Sequence, residues 1–201
     1  MFRLSDSRPQ SSQDGGVSDP ELPTFRYHPD PLATGAARRD GRACVLCGEA
    51  RGVIYDGPIY GRQADVLCLH CIASGEATRS LAMPDGTAAE FTDVGEGVPN
   101  DVPRSVLEEV AQRTPGFRGW QQEHWLYHCG DAAEYLGRVG YDALAEYPDA
   151  LDMAMHENDA YGWPPEQSRE YVEQLTPNGG ATGYLFRCLH CRRALAYTDM
   201  C

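Results

Sequence analysis

Helical spacing of apolar residues predicts short helices in the second half of the chain. In "DVPRSVLEEVAQRT", Val106, Leu107 and Val110 lie on one helical face, and Asp101 and a proline precede the first turn. The stretch "GYDALAEYPDALDMAMHENDA" predicts two further helices that are interrupted at Pro148. The stretch "PPEQSREYVEQL" begins with prolines that suit a helix N-terminus and predicts another helix.

Short β-branched and aromatic runs predict strands around these helices. The runs are "RGVIYDG", "ADVLC", "TGYLFR" and "RRALAYTD". An aromatic run, "HWLYH", ends at Cys129, after which Asp131 and Glu134 have the spacing of a capping box and predict a helix start. The segment "LPTFRYHPDPLATGAARRDG" is punctuated by Pro and Gly and predicts extended chain, in which His28 is a hydrogen-bonded loop residue.

Two Cys-x-x-Cys pairs give the strongest chemical signal. Cys44, Cys47, Cys68 and Cys71 have the spacing C-x2-C-x20-C-x2-C, which is close to the pattern of a zinc site. Four thiolates about 2.3 Å from one ion complete a tetrahedron and leave no position for a substrate. The alternative is a redox dithiol, which requires a pair that opens a helix after a βαβ-type strand, and neither pair has that context. The spacing therefore predicts a structural zinc ion.

A third pair, Cys188 and Cys191, repeats the letters "CLHC" and needs distant partners. Cys129 is the natural third ligand of a second zinc site. The fourth position remains open between His128, His124, Asp131 and a water molecule, because adjacent residues of a strand point to opposite faces. Cys201 is expected to be a free thiol.

These patterns predict an α+β protein with small zinc-ribbon-like β modules at both ends and short helices between them. The Ser-, Asp- and Gly-rich residues 1–21 are expected to be a disordered tail. A zinc-ribbon-like module is expected over residues 22–83, and an α+β region with the second zinc site over residues 84–201.

Composition and charge narrow the environment and the partners. The chain has 8 Cys in 201 residues, below the density of roughly 8% that marks a disulfide scaffold. It has no secretory or membrane-length apolar run, so a cytoplasmic protein with reduced thiols and no membrane contact is expected. Residues 84–160 carry 4 Arg against 16 acidic residues, and the net charge is −13. That charge disfavours nucleic acid and suits a basic protein partner.

Several blocks together resemble the CbrC family of bacterial proteins, whose namesake is linked to tolerance of an E-group colicin. The blocks are "PTFRYHPDPLATGA", "CVLCGEARGVIYDGPIY", "LCLHCIASGEA", "RTPGFRGWQQEHWLYHCGDAAEYLG" and "GYLFRCLHCRR", and the resemblance spans about residues 22 to 200. It implies a cytoplasmic bacterial protein with metal-binding Cys-x-x-Cys pairs and a role in stress or toxin tolerance. The family pattern has a further Cys shortly after the position of Cys129, where this chain has Gly130 to Ala133. The second site is therefore a ligand short of that pattern, or is completed by Asp131 or His128.

Three functions remain compatible with the sequence. The first is a zinc-stabilised, non-catalytic factor that binds another protein. The second is a metal-dependent hydrolase with an open second zinc site and Glu123 or Asp131 as general base. The third is a nucleic-acid-associated zinc protein. The first is favoured because the best site is closed and no set of nucleophile, base and orienting residue is apparent.

Overall fold

The chain forms a mixed α+β fold of small antiparallel sheets and six α-helices, as the sequence predicts; a computed structural model describes residues 21–95 and 98–200. In chain order the elements are β1 (Ala37–Arg39), β2 (Val53–Tyr55), α1 (Leu69–Ala73), α2 (Glu76–Ser80), α3 (Arg104–Arg113), β3 (Tyr127–His128), β4 (Asp131–Ala132), β5 (Glu134–Val139), α4 (Tyr141–Leu144), α5 (Pro148–His156), a 3₁₀ helix (Glu157–Tyr161), α6 (Pro165–Glu173), β6 (Ala181–Arg187) and β7 (Ala194–Met200). Apart from Glu21, the tail expected over residues 1–21 lies outside the described residues. The division between residues 83 and 84 stays a prediction.

The N-terminal part packs around one apolar cluster. Strands β1 and β2 pair antiparallel, with Ala37 opposite Tyr55. Helix α1 contributes Leu69 and Ile72, whose spacing of three residues places both on the buried face, and Phe91 packs with them. The strand predicted for "ADVLC" is not formed, because the 64–67 stretch makes only single backbone hydrogen bonds, including one of 2.7 Å from the Tyr55 N–H to the Leu67 carbonyl.

The C-terminal part is built on a three-stranded antiparallel sheet in the order β5, β6, β7. Residues alternate between its faces, so Tyr184 and Tyr197 join an aromatic cluster while Leu185 and Ala196 face the helices. The strands predicted for "TGYLFR" and "RRALAYTD" are confirmed as β6 and β7.

The residues before β1 connect the two parts. Phe25 is buried in the N-terminal cluster and Tyr27 in the aromatic cluster, where the Tyr27 carbonyl accepts a hydrogen bond of 2.8 Å from the Tyr135 N–H. His28 is fully buried; its Nδ1 lies 2.6 Å from the Pro115 carbonyl oxygen and its Nε2 lies 2.6 Å from the Thr34 hydroxyl. The prediction of a hydrogen-bonded loop histidine is confirmed.

The helical predictions hold with one exception. Helices are present after Pro103, on both sides of Tyr147, and after Pro164. The predicted helix start at Asp131 is wrong, because Asp131 lies in β4 and Glu134 begins β5. Among residues 21–95 and 98–200, no helix is long and apolar enough to cross a membrane.

Candidate metal centres

The first four cysteines converge on one point. The sulfur atoms of Cys44, Cys47, Cys68 and Cys71 all lie within 4.8 Å of one another. The Cys44–Cys71 and Cys47–Cys68 pairs of sulfur atoms are each 3.8 Å apart. A tetrahedron with Zn–S bonds of about 2.3 Å has sulfur atoms about 3.8 Å apart. The donor set and its spacing therefore fit a tetrahedral zinc ion.

Two different local structures supply these sulfur atoms. Cys44 and Cys47 lie in a tight turn, where the Gly48 N–H donates to the Cys44 carbonyl at 2.8 Å and the Cys44 N–H to the Glu49 carbonyl at 3.0 Å. Gly48 has a φ of 74°, which glycine adopts without steric strain. The second pair lies at the start of α1, where Cys68 is the N-cap and its N–H donates to the Cys44 sulfur at 3.4 Å.

The first centre carries opposing pKa shifts. Burial acts to raise the pKa of Cys44, but hydrogen bonds from neighbouring backbone N–H groups lower it to about 7. Burial and then the nearby Cys68 thiol raise the pKa of Cys71 far above its usual range. One thiolate thus forms readily and opposes ionisation of its neighbours. A cation at the centre would remove that repulsion, and its binding would release protons.

The second cluster joins the middle of the chain to its C-terminal hairpin. The donor atoms of His128, Cys129, Cys188 and Cys191 lie within 4.8 Å of one another. The His128 Nδ1 is 3.1 Å from the Cys129 sulfur and 3.4 Å from the Cys191 sulfur. These distances are close to the separation of about 3.6 Å that tetrahedral Zn–N and Zn–S bonds produce. Of the three side chains considered for the fourth position, the structure brings only His128 into this group.

The ligands of the second cluster lie in two turns, each of which contains a residue with a positive φ angle. Cys129 and Gly130 form the two-residue loop between β3 and β4, with φ angles of 55° and 68°. Both values are those of a type I′ hairpin, so Cys129 holds a conformation that a side chain normally disfavours. Between β6 and β7, the Cys188 N–H donates to the Arg193 carbonyl at 2.8 Å and the Arg192 N–H to the Cys188 carbonyl at 3.1 Å.

The two "CLHC" tetrapeptides adopt different structures despite identical letters. The first opens helix α1, whereas the second forms the β6–β7 turn and repeats the hydrogen bonds of the Cys44–Cys47 turn. The neighbouring sequence on the C-terminal side accounts for the difference. The apolar residues after Cys68 continue a buried helical face, whereas Arg192 and Arg193 lead into a strand.

Asp131 lies beside the second cluster but outside it. Its carboxylate accepts hydrogen bonds from the Tyr27 hydroxyl at 2.8 Å and from Arg26 at 2.6 Å, and lies 2.9 Å from the His190 Nε2. His190 sits between Cys188 and Cys191, so this buried carboxylate ties the β6–β7 turn to the β3–β4 hairpin. Sequence reasoning missed this role, although the central histidine of "CLHC" and a nearby carboxylate were the available signal.

The pKa shifts in the second cluster also oppose one another. Burial acts to raise the pKa of Cys188, but the backbone N–H groups of Cys191 and His190 lower it to about 6. Burial and then the Cys191 and Cys188 thiols raise the pKa of Cys129 to about 11. As in the first cluster, one thiolate is favoured and the next is opposed.

The other residues considered for the second site, Glu123 as a general base and His124 as a ligand, lie outside the cluster. Glu123 is buried, and its Oε1 accepts a hydrogen bond of 2.6 Å from the Tyr60 hydroxyl. The His124 ring lies against Tyr197, with ring centroids 3.9 Å apart. Neither residue belongs to the two metal-type groups found among the described residues. The prediction for Cys201 falls outside the described residues.

Comparison with known proteins places the chain in a family. The family model described as "Uncharacterised protein family (UPF0167)" matches residues 22–200. A UPF0167 protein of Mycobacterium bovis is 48% identical over 181 residues, which cover 89% of this chain and 94% of that protein. A UPF0167 protein of Pseudomonas aeruginosa is 37% identical over 179 residues, covering 88% and 96% respectively. No solved structure matches the chain. The chain thus belongs to the UPF0167 family, whose two relatives above it resembles over nearly their whole length.

Proposed function

We propose that this protein binds two structural zinc ions, one per cluster, and acts as a non-catalytic factor that binds another protein. The observation that carries the proposal is the number of donor atoms: each cluster has four within 4.8 Å. Four protein ligands complete the tetrahedral shell of zinc and leave no open position for a reacting water molecule. The zinc ions then hold the shape of the protein.

The second cluster decides between a structural and a hydrolytic role. A hydrolytic site needs three protein ligands and one exchangeable water molecule. The His128 Nδ1, at 3.1 and 3.4 Å from two of the three sulfur atoms, takes the place that such a water molecule would occupy. Three thiolates also donate charge to the ion and weaken it as a Lewis acid. Both points favour the structural role.

The charge distribution favours a protein partner over nucleic acid. Residues 84–160 have 16 acidic residues and 4 Arg, and the whole chain contains no Lys. Binding to a phosphate backbone depends on clustered cations that release counterions. An acidic surface instead accelerates the approach of a basic protein. The link to stress or colicin tolerance rests on the resemblance alone, and the proposed function does not depend on it.

Metal analysis of the purified protein tests the zinc proposal. We expect two zinc ions per chain in the wild type and one in each of the variants Cys68→Ser and His128→Ala. The matched control, Cys201→Ser, should retain two. Unchanged zinc content in Cys68→Ser would overturn the first assignment, and unchanged content in His128→Ala would show that His128 is not required at the second.

Two further assays separate the proposed function from its alternatives. Hydrolysis of phosphoester, peptide and amide substrates should be absent from the zinc-loaded protein. Zinc-dependent hydrolysis that is lost in Glu123→Gln, with the fold intact, would favour the enzyme. Affinity capture is done with the wild type and with a variant in which exposed acidic residues between 84 and 160, such as Asp101, Asp142 and Glu146, are reversed in charge. It should recover a basic protein partner with the wild type alone.

A further inference from the structure

A pocket of about 460 Å³ lies between the loop after Gly119, the 3₁₀ helix and strand β7. Its volume is within the range of about 300–1,000 Å³ that is usual for binding pockets. It lies apart from both cysteine clusters, since none of their donor residues lines it. Two carboxylates and several aromatic rings do, among them Glu157, Asp199, His124, Tyr161, Tyr171 and Tyr197.

Neither carboxylate is neutralised by a cation of the described chain. The Oδ2 of Asp199 accepts hydrogen bonds from the Trp120 and Gln121 backbone N–H groups at 3.0 and 3.1 Å. The Oδ1 of Asp199 is buried without a hydrogen-bond partner among the described residues, and the residue is 7% exposed. The Oε2 of Glu157 accepts hydrogen bonds from the Thr198 N–H at 2.8 Å and hydroxyl at 2.6 Å. No arginine is among the described residues that line the pocket.

The pKa shifts of the pocket residues also indicate that the pocket lacks a positive charge. Burial raises the pKa of Glu157, and the charge of Asp199 adds to that rise. Burial lowers the pKa of His124, so its imidazole is neutral near pH 7 and supplies no compensating charge. Buried carboxylates are usually paired with a cation, because desolvation of an unpaired charge is unfavourable. The two carboxylates thus favour a cation that comes from outside.

Aromatic and apolar side chains surround the opening. Among the residues that line the pocket, Tyr161 is 79% exposed and Met200 is 39% exposed. Large exposed apolar residues around a pocket are typical of interaction sites, and Trp and Tyr are frequent at the centres of protein interfaces. Tyrosine rings also attract ammonium and guanidinium groups to their faces.

We propose that this pocket binds an arginine or lysine side chain of the partner protein, an inference that rests on the protein-binding function proposed above. The guanidinium or ammonium group interacts with the Glu157 and Asp199 carboxylates, and its alkyl stem packs against Tyr161 and Met200. The pocket gives the basic partner a defined contact in addition to long-range attraction.

A titration with small ligands tests the chemistry of the pocket directly. Zinc-loaded, ¹⁵N-labelled protein is titrated with N-acetyl-arginine amide and separately with N-acetyl-citrulline amide, which has the same shape without the charge. We expect saturable shifts of the Trp120, Gln121 and Thr198 amide signals with the arginine ligand only. Equal shifts with both ligands, or no saturable shift with the arginine ligand, would overturn the proposal.

Variants locate the binding and include a matched control. Glu157→Gln keeps an oxygen that can accept from Thr198 but removes the charge, and Tyr161→Ala removes an exposed ring. Each should weaken binding of the arginine ligand at least fivefold. Met83→Ala, at an exposed apolar residue that does not line the pocket, should leave the affinity unchanged. Unchanged affinity in both pocket variants would contradict the assigned location.

The same variants separate this inference from the proposed function. If a captured protein partner is retained equally by the wild type, Glu157→Gln and Tyr161→Ala, the protein-binding function stands and the pocket is not its docking site. If the pocket binds the arginine ligand but the wild type captures no partner, the cation site stands and the protein-binding function fails.

Discussion

Arg192 occupies in the β6–β7 turn the position that Gly48 occupies in the Cys44–Cys47 turn. Gly48 has a φ of 74° and Arg192 a φ of 65°, and each N–H donates to the carbonyl of the cysteine four residues earlier. The same Cys-x-x-Cys backbone is therefore built once with a residue free of a Cβ and once with a residue that carries one. This difference makes the two turns a natural pair for measuring backbone strain.

Replacing Gly48 by alanine should lower the free energy of unfolding by about 1–2 kcal/mol. An added Cβ would meet no atom within 4 Å, so the whole effect comes from the positive φ. Chemical denaturation of the zinc-loaded protein measures it. Gly41→Ala is the control, because its Cβ also meets nothing within 4 Å and it lacks a positive φ. Equal effects of the two substitutions would contradict the strain.

At Arg192 the corresponding test replaces a residue that has a Cβ with glycine, which should relieve the strain of the positive φ. Arg192→Gly and Arg192→Ala both lose the ion pair with Glu134, whose Oε1 lies 3.1 Å from the arginine Nη1. Only the alanine variant keeps a Cβ in the left-handed region. We expect the glycine variant to be more stable than the alanine variant by about 1 kcal/mol in the same denaturation experiment. If the alanine variant were the more stable of the two, the positive φ at position 192 would not be a source of strain.

Asp131→Asn should weaken metal binding at the second cluster while the first cluster retains its ion. Asp131 holds His190 at 2.9 Å and Tyr27 at 2.8 Å, and residues that orient a metal-binding segment commonly change metal affinity by about 10- to 100-fold. Titration of the zinc-loaded protein with a chromophoric chelator measures the zinc affinity of each of the two clusters. Asp65→Asn, at a carboxylate that is 85% exposed, is the control and should leave both affinities unchanged.

His28 should make the protein less stable as the pH falls from about 7.5 to 5.5. Burial lowers its pKa to about 4, whereas the unfolded chain binds a proton near its ordinary value of about 6.5. Below pH 6.5 the His28 imidazole binds a proton in the unfolded state, whereas in the folded state it remains neutral down to about pH 4. Stability from this residue is therefore lost as pH falls, by about 1 kcal/mol over the interval.

The His28→Gln variant isolates this contribution. Both proteins share the same thiols, so acid effects on the metal sites cancel in the difference between their free energies of unfolding. The stability deficit of the variant should shrink by about 1 kcal/mol between pH 7.5 and 5.5. A deficit that is constant with pH would contradict the neutral, buried state of His28.

Tyr55→Phe should destabilise the protein by about 1–3 kcal/mol. The Tyr55 hydroxyl is within 2.8 Å of the Pro58 carbonyl and 3.0 Å of the Phe91 carbonyl, and accepts from the Gly116 N–H at 3.2 Å. Its removal leaves a buried N–H without a partner. Thermal denaturation measures the effect, with Tyr161→Phe as the control at an exposed tyrosine.

The cysteine positions carried most of the information that the sequence held about the candidate sites. Spacing alone grouped Cys44, Cys47, Cys68 and Cys71, and the structure brings these four together. The same reasoning grouped Cys129 with the distant C-terminal pair but left the fourth position open. His128 and Cys129 are adjacent, and a flat strand would direct them to opposite faces. Both reach the cluster because the chain turns at Cys129 with a positive φ, which no propensity indicates.

The helices were predictable where apolar spacing and prolines agreed, as at Pro148. Asp131 was misplaced because its spacing from Glu134 imitates a capping box, whereas tertiary contacts with Arg26, Tyr27 and His190 determine its position. Such contacts join residues as many as 105 positions apart and leave no local pattern. Of the tryptophans, Trp125 is 2% exposed, whereas Trp120 is 46% exposed, and no local pattern distinguishes them.

The ligands of the two clusters are synthesised in a different order, so the two sites become complete at different stages of translation. All four donors of the first cluster lie between residues 44 and 71, so the ribosome delivers them together and early. The second cluster needs both His128 and Cys191, which lie 63 positions apart in the chain. Until Cys191 is synthesised, the His128 imidazole and the Cys129 thiol lack their partner ligands. They can then bind other metal ions, and the thiol can be oxidised. A nascent chain can therefore load its first ion as soon as Cys71 is available, but its second only after Cys191 has been synthesised.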